Sequence, residues 1–264
     1  MIWIVGYLAL GAVAGFFAGL LGVGGGAIMV PVLALMFAAQ GFPQEHLMHL
    51  ALGTSMAAIV FTSISSLRAH HRHGAVQWPI VRAIAPGILL GTFLGAQLAS
   101  VVPTRPLAIF FTVFMSYVAL QMLANIKPKP ARQLPGTPGM LLVGGGIGAV
   151  SALVAIGGGS LSVPFMTWCN VKMHHAIGTS AAIGFPIAVA GTLGYLVGGV
   201  GGSGLPGGSF GYIYLPALAA CVAASMLTAP LGAKAAHRLP VATLKKIFAG
   251  VILLLLAKMV HGLF

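Results

Sequence analysis

Two stretches interrupt an otherwise apolar chain with three consecutive glycines: "LLGVGGGAIMVP", residues 20 to 31, and "LVAIGGGSLSVP", residues 153 to 164. In both, a proline follows five residues after the last glycine. Glycine lets a ligand approach the main chain, and free N–H groups at a helix start carry the positive end of the helix dipole. Two such breaks point to an anion held by the backbone of Gly24, Gly25, Gly26, Gly157, Gly158 and Gly159. Ser160 stands where it can cap the second helix; its counterpart Ala27 cannot, so the two breaks are chemically unequal. Tight helix packing is the competing use of small residues, and it suffices for the spacings Gly11/Gly15/Gly19, Gly87/Gly91/Gly95 and Gly194/Gly198. Packing alone does not call for three glycines in a row at a helix junction.

Hydroxyls and imidazoles repeat as well. "HLALGTS", residues 49 to 55, matches "HHAIGTS", residues 174 to 180. Thr54, Ser55, Thr179 and Ser180 offer donors to substrate oxygens without burying a fixed charge; the plainer alternative is a hydroxyl bonded to the carbonyl four residues back. His49 and His174 are candidates for proton coupling, since histidine titrates near about 6.5; the alternative is an imidazole at the membrane interface. The stretch "RAHHRHGAVQWPIVR", 68 to 82, gathers histidines between arginines but has no acidic or cysteine ligand beside it, so it reads as a solvated loop with Trp78 as interface anchor and not as a metal site. The single acid, Glu45, lies outside the apolar segments. A cation carrier or an intramembrane acid–base or metal enzyme would need carboxylates at depth, so an anionic or neutral solute and a non-enzymatic role are expected, with no cofactor.

These residues must be positioned by membrane helices. Of 264 residues 59% are hydrophobic and only 5% charged, against roughly a quarter charged in soluble domains. Runs such as 2 to 22, 105 to 124 and 241 to 262 reach the ~20 residues that a helix needs to cross a bilayer. The two cysteines, Cys169 and Cys221, read as small core residues. A net charge of +12 comes from cations scattered over short loops, which suits topology and anionic lipid and not nucleic acid.

The glycine motifs align at a fixed offset, and Pro79, Gly95 and Pro103 then meet Pro216, Gly232 and Pro240. The chain is therefore read as a duplication: a first transmembrane repeat, 1–126, a cytoplasmic linker, 127–138, and a second transmembrane repeat, 139–264. Each half offers five apolar segments: 2 to 22, 27 to 40, 46 to 68, 76 to 100 and 105 to 125, then 139 to 156, 160 to 169, 174 to 198, 211 to 233 and 241 to 262. An odd number of crossings per half leaves only Arg105 and Lys258 of the 13 Lys and Arg on one side, a strong positive-inside bias. The expected fold is all-α, two inverted-topology repeats with both termini outside. The second segment of each half is short, which places the glycine breaks at depth, where irregular backbone survives only beside protein or a water-filled cavity. The uncharged loop 198 to 211 is expected to be a flexible outer loop, with a lid over the path as the alternative.

"GLLGVGGGAIMVPVL" and "ALVAIGGGSLSVPFM", each followed by a GTS segment, resemble the TauE/SafE family of membrane proteins, the sulfite exporters. The resemblance covers nearly the whole chain. It implies a multi-pass carrier of the bacterial inner membrane that moves a small sulfur-containing anion, sulfite or an organosulfonate, most simply outward. A passive anion channel and an importer of another organosulfur compound are the alternatives. The motif carries over as Gly24–Gly26 with Pro31, Gly157–Gly159 with Pro164, and the segments Gly53–Ser55 and Gly178–Ser180.

Overall fold

The computed structural model describes residues 2–21, 25–124, 130–202, 204–236 and 241–263. Gly24 lies outside the described residues, as do Lys127, Lys129 and Arg238. Every apolar segment is a helix: α1 (Ile2–Leu21), α2 (Gly26–Ala39), α3 (Leu47–Arg72), α4 (Trp78–Val101), α5 (Thr104–Leu123), α6 (Thr137–Val154), α7 (Gly159–Trp168), α8 (Met173–Gly198), α9 (Leu215–Ala236) and α10 (Val241–Leu263). Among the described residues the only strands are β1 (Ser209–Phe210) and β2 (Ile213–Tyr214), an antiparallel pair. Seven helices are long and apolar enough to cross a membrane. Their outward faces carry contiguous large apolar side chains, such as Leu90, Leu94 and Leu98 on α4 and Ile109, Val113 and Leu120 on α5, as lipid contact requires. The chain is an all-α, multi-pass membrane protein.

Helix α3 is the exception to the lipid-facing pattern. Over its membrane stretch 83% of the residues are buried, and 56% on α8, against 33–39% on the other five spans. The two pack on each other at the centre: Gly53 faces Tyr195 and Met56 faces Gly191, so they run antiparallel.

The GxxxG glycines set how closely helices approach. A Cβ on Gly11, Gly15 or Gly19 of α1 would strike the α9 backbone at Cys221, Ser225 and Ala229 respectively. The counterparts repeat the arrangement, Gly144 of α6 against Ile84 of α4 and Gly148 against Ile88 and Thr92. Likewise Gly95 of α4 abuts Ala149 and Gly232 of α9 abuts Phe16. Each outer pair thus joins a helix of one half to a helix of the other, in a register that the sequence offsets predict.

The loop 198 to 211 is largely exposed, as at Val200, Gly204 and Phe210, but the residues that follow it are built into the core. Tyr212 and Ile213 are buried at its β-turn, the Tyr212 amide donates to the Tyr195 carbonyl at 3.2 Å, and Tyr214 packs edge-on against Phe37 and Phe42. Its glycines at 208 and 211 adopt positive φ, which lets so short a hairpin close. It covers the end of α3 and α8 that carries Gly53 and Tyr195.

Candidate functional site

The two helix breaks meet near the centre of the bundle. α2 has 14 residues and α7 has 10, about 21 and 15 Å at 1.5 Å per residue, shorter than the ~30 Å hydrocarbon core. Gly25 caps α2 with φ 77°, and its carbonyl accepts from the amides of Ile28 and Met29, both at 3.1 Å. Across the interface Ala155 ends α6 at φ 46°, ψ 45°, a left-handed conformation that costs an alanine about 1–2 kcal/mol. Its carbonyl rests on Gly26, where any Cβ would overlap it. The close approach of the two breaks accounts for Gly26.

The second break is the open one. A narrow crevice, a hollow of about 10 Å³, is lined by Gly157, by Ser180, Ala181 and Gly184 of α8, and by Thr62, Ser63 and Ser66 of α3, with Ala18 and Ile59 closing its wall. Gly158 caps α7 and its carbonyl accepts the Ser162 amide at 2.8 Å; the Gly159 amide bonds the Gly157 carbonyl. The first amides of a helix have no carbonyl one turn back within it. Ser160 does not cap α7, because Gly158 already occupies the cap position and leaves Ser160 inside the first turn. Its hydroxyl is buried with no protein partner.

The GTS segments divide between two roles. The Thr54 hydroxyl accepts the Tyr214 amide at 3.0 Å, and the Thr179 hydroxyl accepts the Gln77 amide at 2.9 Å. Tyr214 and Gln77 are equivalent positions, each two residues before the proline that opens α9 or α4. The preceding glycines make room for the same loops: Gly53 lies against the Tyr212 carbonyl and Gly178 against Ala75. Gly–Thr is thus a clasp, made twice, that fastens the central helix of one half to the loop of the other. The serines that follow are different. Ser55 and Ser180 are 0% and 2% exposed, and neither hydroxyl has a protein partner. An unpaired buried hydroxyl costs about 1–3 kcal/mol, and Ser180 presents its own to the hollow.

Neither histidine lines the hollow. His49 Nε2 lies 3.1 Å from the Ala99 carbonyl and 3.0 Å from that of Val102, and its ring stacks on Tyr212 at 4.8 Å. It ties the start of α3 to the end of α4. His174 is exposed at the start of α8 and packs on His175. The stretch 68–82, expected to be a loop, is helical except at 73–77, because α3 runs on to Arg72 and α4 starts at Trp78; across that turn the Trp78 indole N–H donates to His71 Nδ1 at 3.4 Å.

Thr62, Ser63 and Ser66 were not among the sequence candidates. The signal was "FTSISS", 61 to 66, a hydroxyl-rich run in an apolar helix. Thr62 and Ser63 bond carbonyls one turn back, which satisfies their protons and leaves oxygen lone pairs near the hollow. A shallower depression of about 480 Å³ lies between the linker and the start of α8, bordered by Gln77, Gln133, Lys172 and His175.

A family model described as "Sulfite exporter TauE/SafE" matches residues 7–259. The chain is 40% identical over 243 residues to a probable membrane transporter protein of Haemophilus influenzae, covering 92% of each. It is 27% identical to the probable membrane transporter protein YdhB of Bacillus subtilis, over 88% of this chain and 89% of that one. A probable membrane transporter protein of Xylella fastidiosa is 30% identical, over 74% of this chain and 80% of that one. No solved structure matches.

Proposed function

The chain belongs to the sulfite exporter TauE/SafE family and is a membrane transporter, and we propose that it carries a small sulfur-containing anion such as sulfite or an organosulfonate outward by alternating access. In this reading the halves 1–126 and 139–264 are inverted repeats about the glycine breaks, and the linker 127–138 is cytoplasmic. The protein lies in the bacterial inner membrane with both termini on the periplasmic side. The central pair supports inversion: α3 and α8 occupy matching places in the two halves and run antiparallel.

The observation that carries the proposal is the hollow at the second break. It joins a helix start to an unpartnered, buried Ser180 hydroxyl and to hydroxyls of α3. Donors without a fixed charge suit an anion that must be released again, and the amides of Gly158 and Ser160, the Ser160 hydroxyl and Ser180 supply them. The first break contributes Ser55 and the backbone of Gly25 and Gly26; Gly24 belongs to the proposed set by its place in the motif. Thr54 and Thr179 hold the frame through their clasps. The buried hairpin at Tyr212 and Ile213 closes the other end of α3 and α8, at Gly53 and Tyr195, which supports a carrier over a channel.

Counterflow in proteoliposomes tests this. Vesicles preloaded with unlabelled sulfite should take up radiolabelled sulfite faster than empty ones, with saturation, and Ser180→Ala should raise the half-saturating concentration. Uptake that rises linearly without counterflow would identify a channel. No response to any sulfur oxyanion or sulfonate would remove the substrate class.

A further inference from the structure

We propose that the chain holds a second hollow, closed in this structure, on the opposite side of the glycine breaks, lined by Ser55, Ser151, Ala188 and Gly191 and stoppered by Met56. The inference rests on the carrier reading above and specifies its other state. The register between the halves is fixed by independent contacts. Gly11 meets Cys221 as Gly144 meets Ile84, and Gly53 meets Tyr212 as Gly178 meets Ala75. In that register each lining residue of the open hollow has a counterpart. Ser180 corresponds to Ser55, Ala18 to Ser151, Thr62 to Ile187, Ser63 to Ala188, Ser66 to Gly191 and Ala181 to Met56.

The counterparts are all buried in the structure. Ser55 and Ser151 are both 0% exposed, and both hydroxyls lack a protein partner. Two unpaired hydroxyls in a packed core are costly, and two at the mirror positions of an existing hollow are what a collapsed hollow leaves behind. The stopper is visible as well. A Cβ on Gly191 would meet Met56 Sδ at 3.0 Å and its Cγ and Cε at 3.2 Å, so the thioether fills the place that its counterpart Ala181 leaves empty beside Ser66. Methionine has three rotatable bonds and no branch, which suits a side chain that must leave and return. Ile187, Ala188 and Gly191 are all buried, whereas Ser66 is partly exposed.

Thiol labelling tests this in the full chain, in vesicles of both orientations, with a membrane-impermeant maleimide; Cys169 and Cys221 are buried, and the unsubstituted protein sets the background. Ser63→Cys should label from the side bearing Arg68, and Ala188→Cys and Ser151→Cys should label slowly from the opposite side. Adding Met56→Ala should raise opposite-side labelling by at least about fivefold and lower Ser63→Cys labelling, the shift that a bias of about 1 kcal/mol gives a two-state equilibrium. If Ala188→Cys and Ser151→Cys stay at background with Met56→Ala while Ser63→Cys labels and the protein exchanges sulfite, the second hollow is refuted and the carrier reading stands. If Met56→Ala raises labelling from both sides together, the path is continuous and the carrier reading itself falls.

Discussion

Thr179 and Ser180 are neighbours on α8, both buried, and they should respond to substitution in opposite ways. The Thr179 oxygen accepts the Gln77 amide at 2.9 Å. Valine has the same shape without the acceptor, so Thr179→Val leaves that amide unpaired at a half-buried loop. The expected loss is about 1–3 kcal/mol, the cost of the broken bond plus the desolvated donor. Thr54→Val should cost a similar amount through Tyr214, bonded at 3.0 Å. Ser180→Ala breaks no bond within the protein. It should leave stability unchanged or raise it by up to about 1 kcal/mol.

Ligand response should invert this ranking. If Ser180 donates to the anion, its removal forfeits a hydrogen bond to a charged group, about 1.5–3 kcal/mol, or roughly ten- to a hundredfold in Kd. Thr179→Val should keep the parental Kd once its lower baseline is subtracted. Scanning fluorimetry in detergent across a sulfite titration reads both quantities, because saturating ligand adds RT ln(1 + [L]/Kd) to stability. A Ser180→Ala protein as destabilised as Thr179→Val would show that its hydroxyl is structural. A parental ligand shift in Ser180→Ala would take Ser180 out of the site.

Other outcomes follow from the same geometry. Ala155→Gly should raise the unfolding temperature by about 1–3 °C, since it relieves the left-handed alanine and gives back part of the gain as chain entropy; a lower melting temperature would mean that the methyl group, not the backbone, matters there. The equivalent position in the first half, Gly22, is already glycine. His49→Phe should keep the stack on Tyr212 but lose the bond to Ala99 and Val102, lowering stability by about 1–3 kcal/mol. The pH profile of sulfite exchange should be unchanged in His49→Phe and in His174→Ala, as neither ring lines the hollow; a displaced profile would restore histidine as the proton site.

Most of the architecture was legible in the sequence because it rests on local signals. Hydropathy runs place the ten helices within a few residues, and the offset between the glycine motifs predicts which helix of one half matches which of the other. The short second segments followed from counting residues. What could not be read depends on partners far apart in the chain. Nothing near Thr54 in the sequence announces Tyr214, 160 positions away, nor does Thr179 announce Gln77, 102 away. The histidine pair shows the same limit: His49 and His174 are equivalent in sequence, but of the two only His49 has an aromatic hairpin to stack on. The hairpin was not singled out because its anchors, buried Tyr212 and Ile213, lie just beyond the glycine-rich stretch. The Ser160 cap failed by two residues of register, as Gly158 caps α7.

The same duplication that makes the fold legible makes its departures informative. Thr62, Ser63 and Ser66 on α3 correspond to Ile187, Ala188 and Gly191 on α8, so a solute in the open hollow meets hydroxyls that its mirror image lacks. Binding asymmetry cannot set direction in a passive carrier. The cycle of binding, switching, release and return must close, and any extra affinity on one side is offset by the populations of the two states. What the asymmetry does set is saturation. A mouth on the Arg68 side, where Thr62 and Ser63 can turn their protons from the Ile59 and Val60 carbonyls to the anion, loads at lower concentration than an apolar mouth opposite, by the difference between a charged and a neutral hydrogen bond. In the proposed orientation, with that side cytoplasmic, outward movement would run near saturation while solute is still dilute inside, and re-entry from an equally dilute exterior would stay unsaturated, the kinetic arrangement that the proposed export calls for.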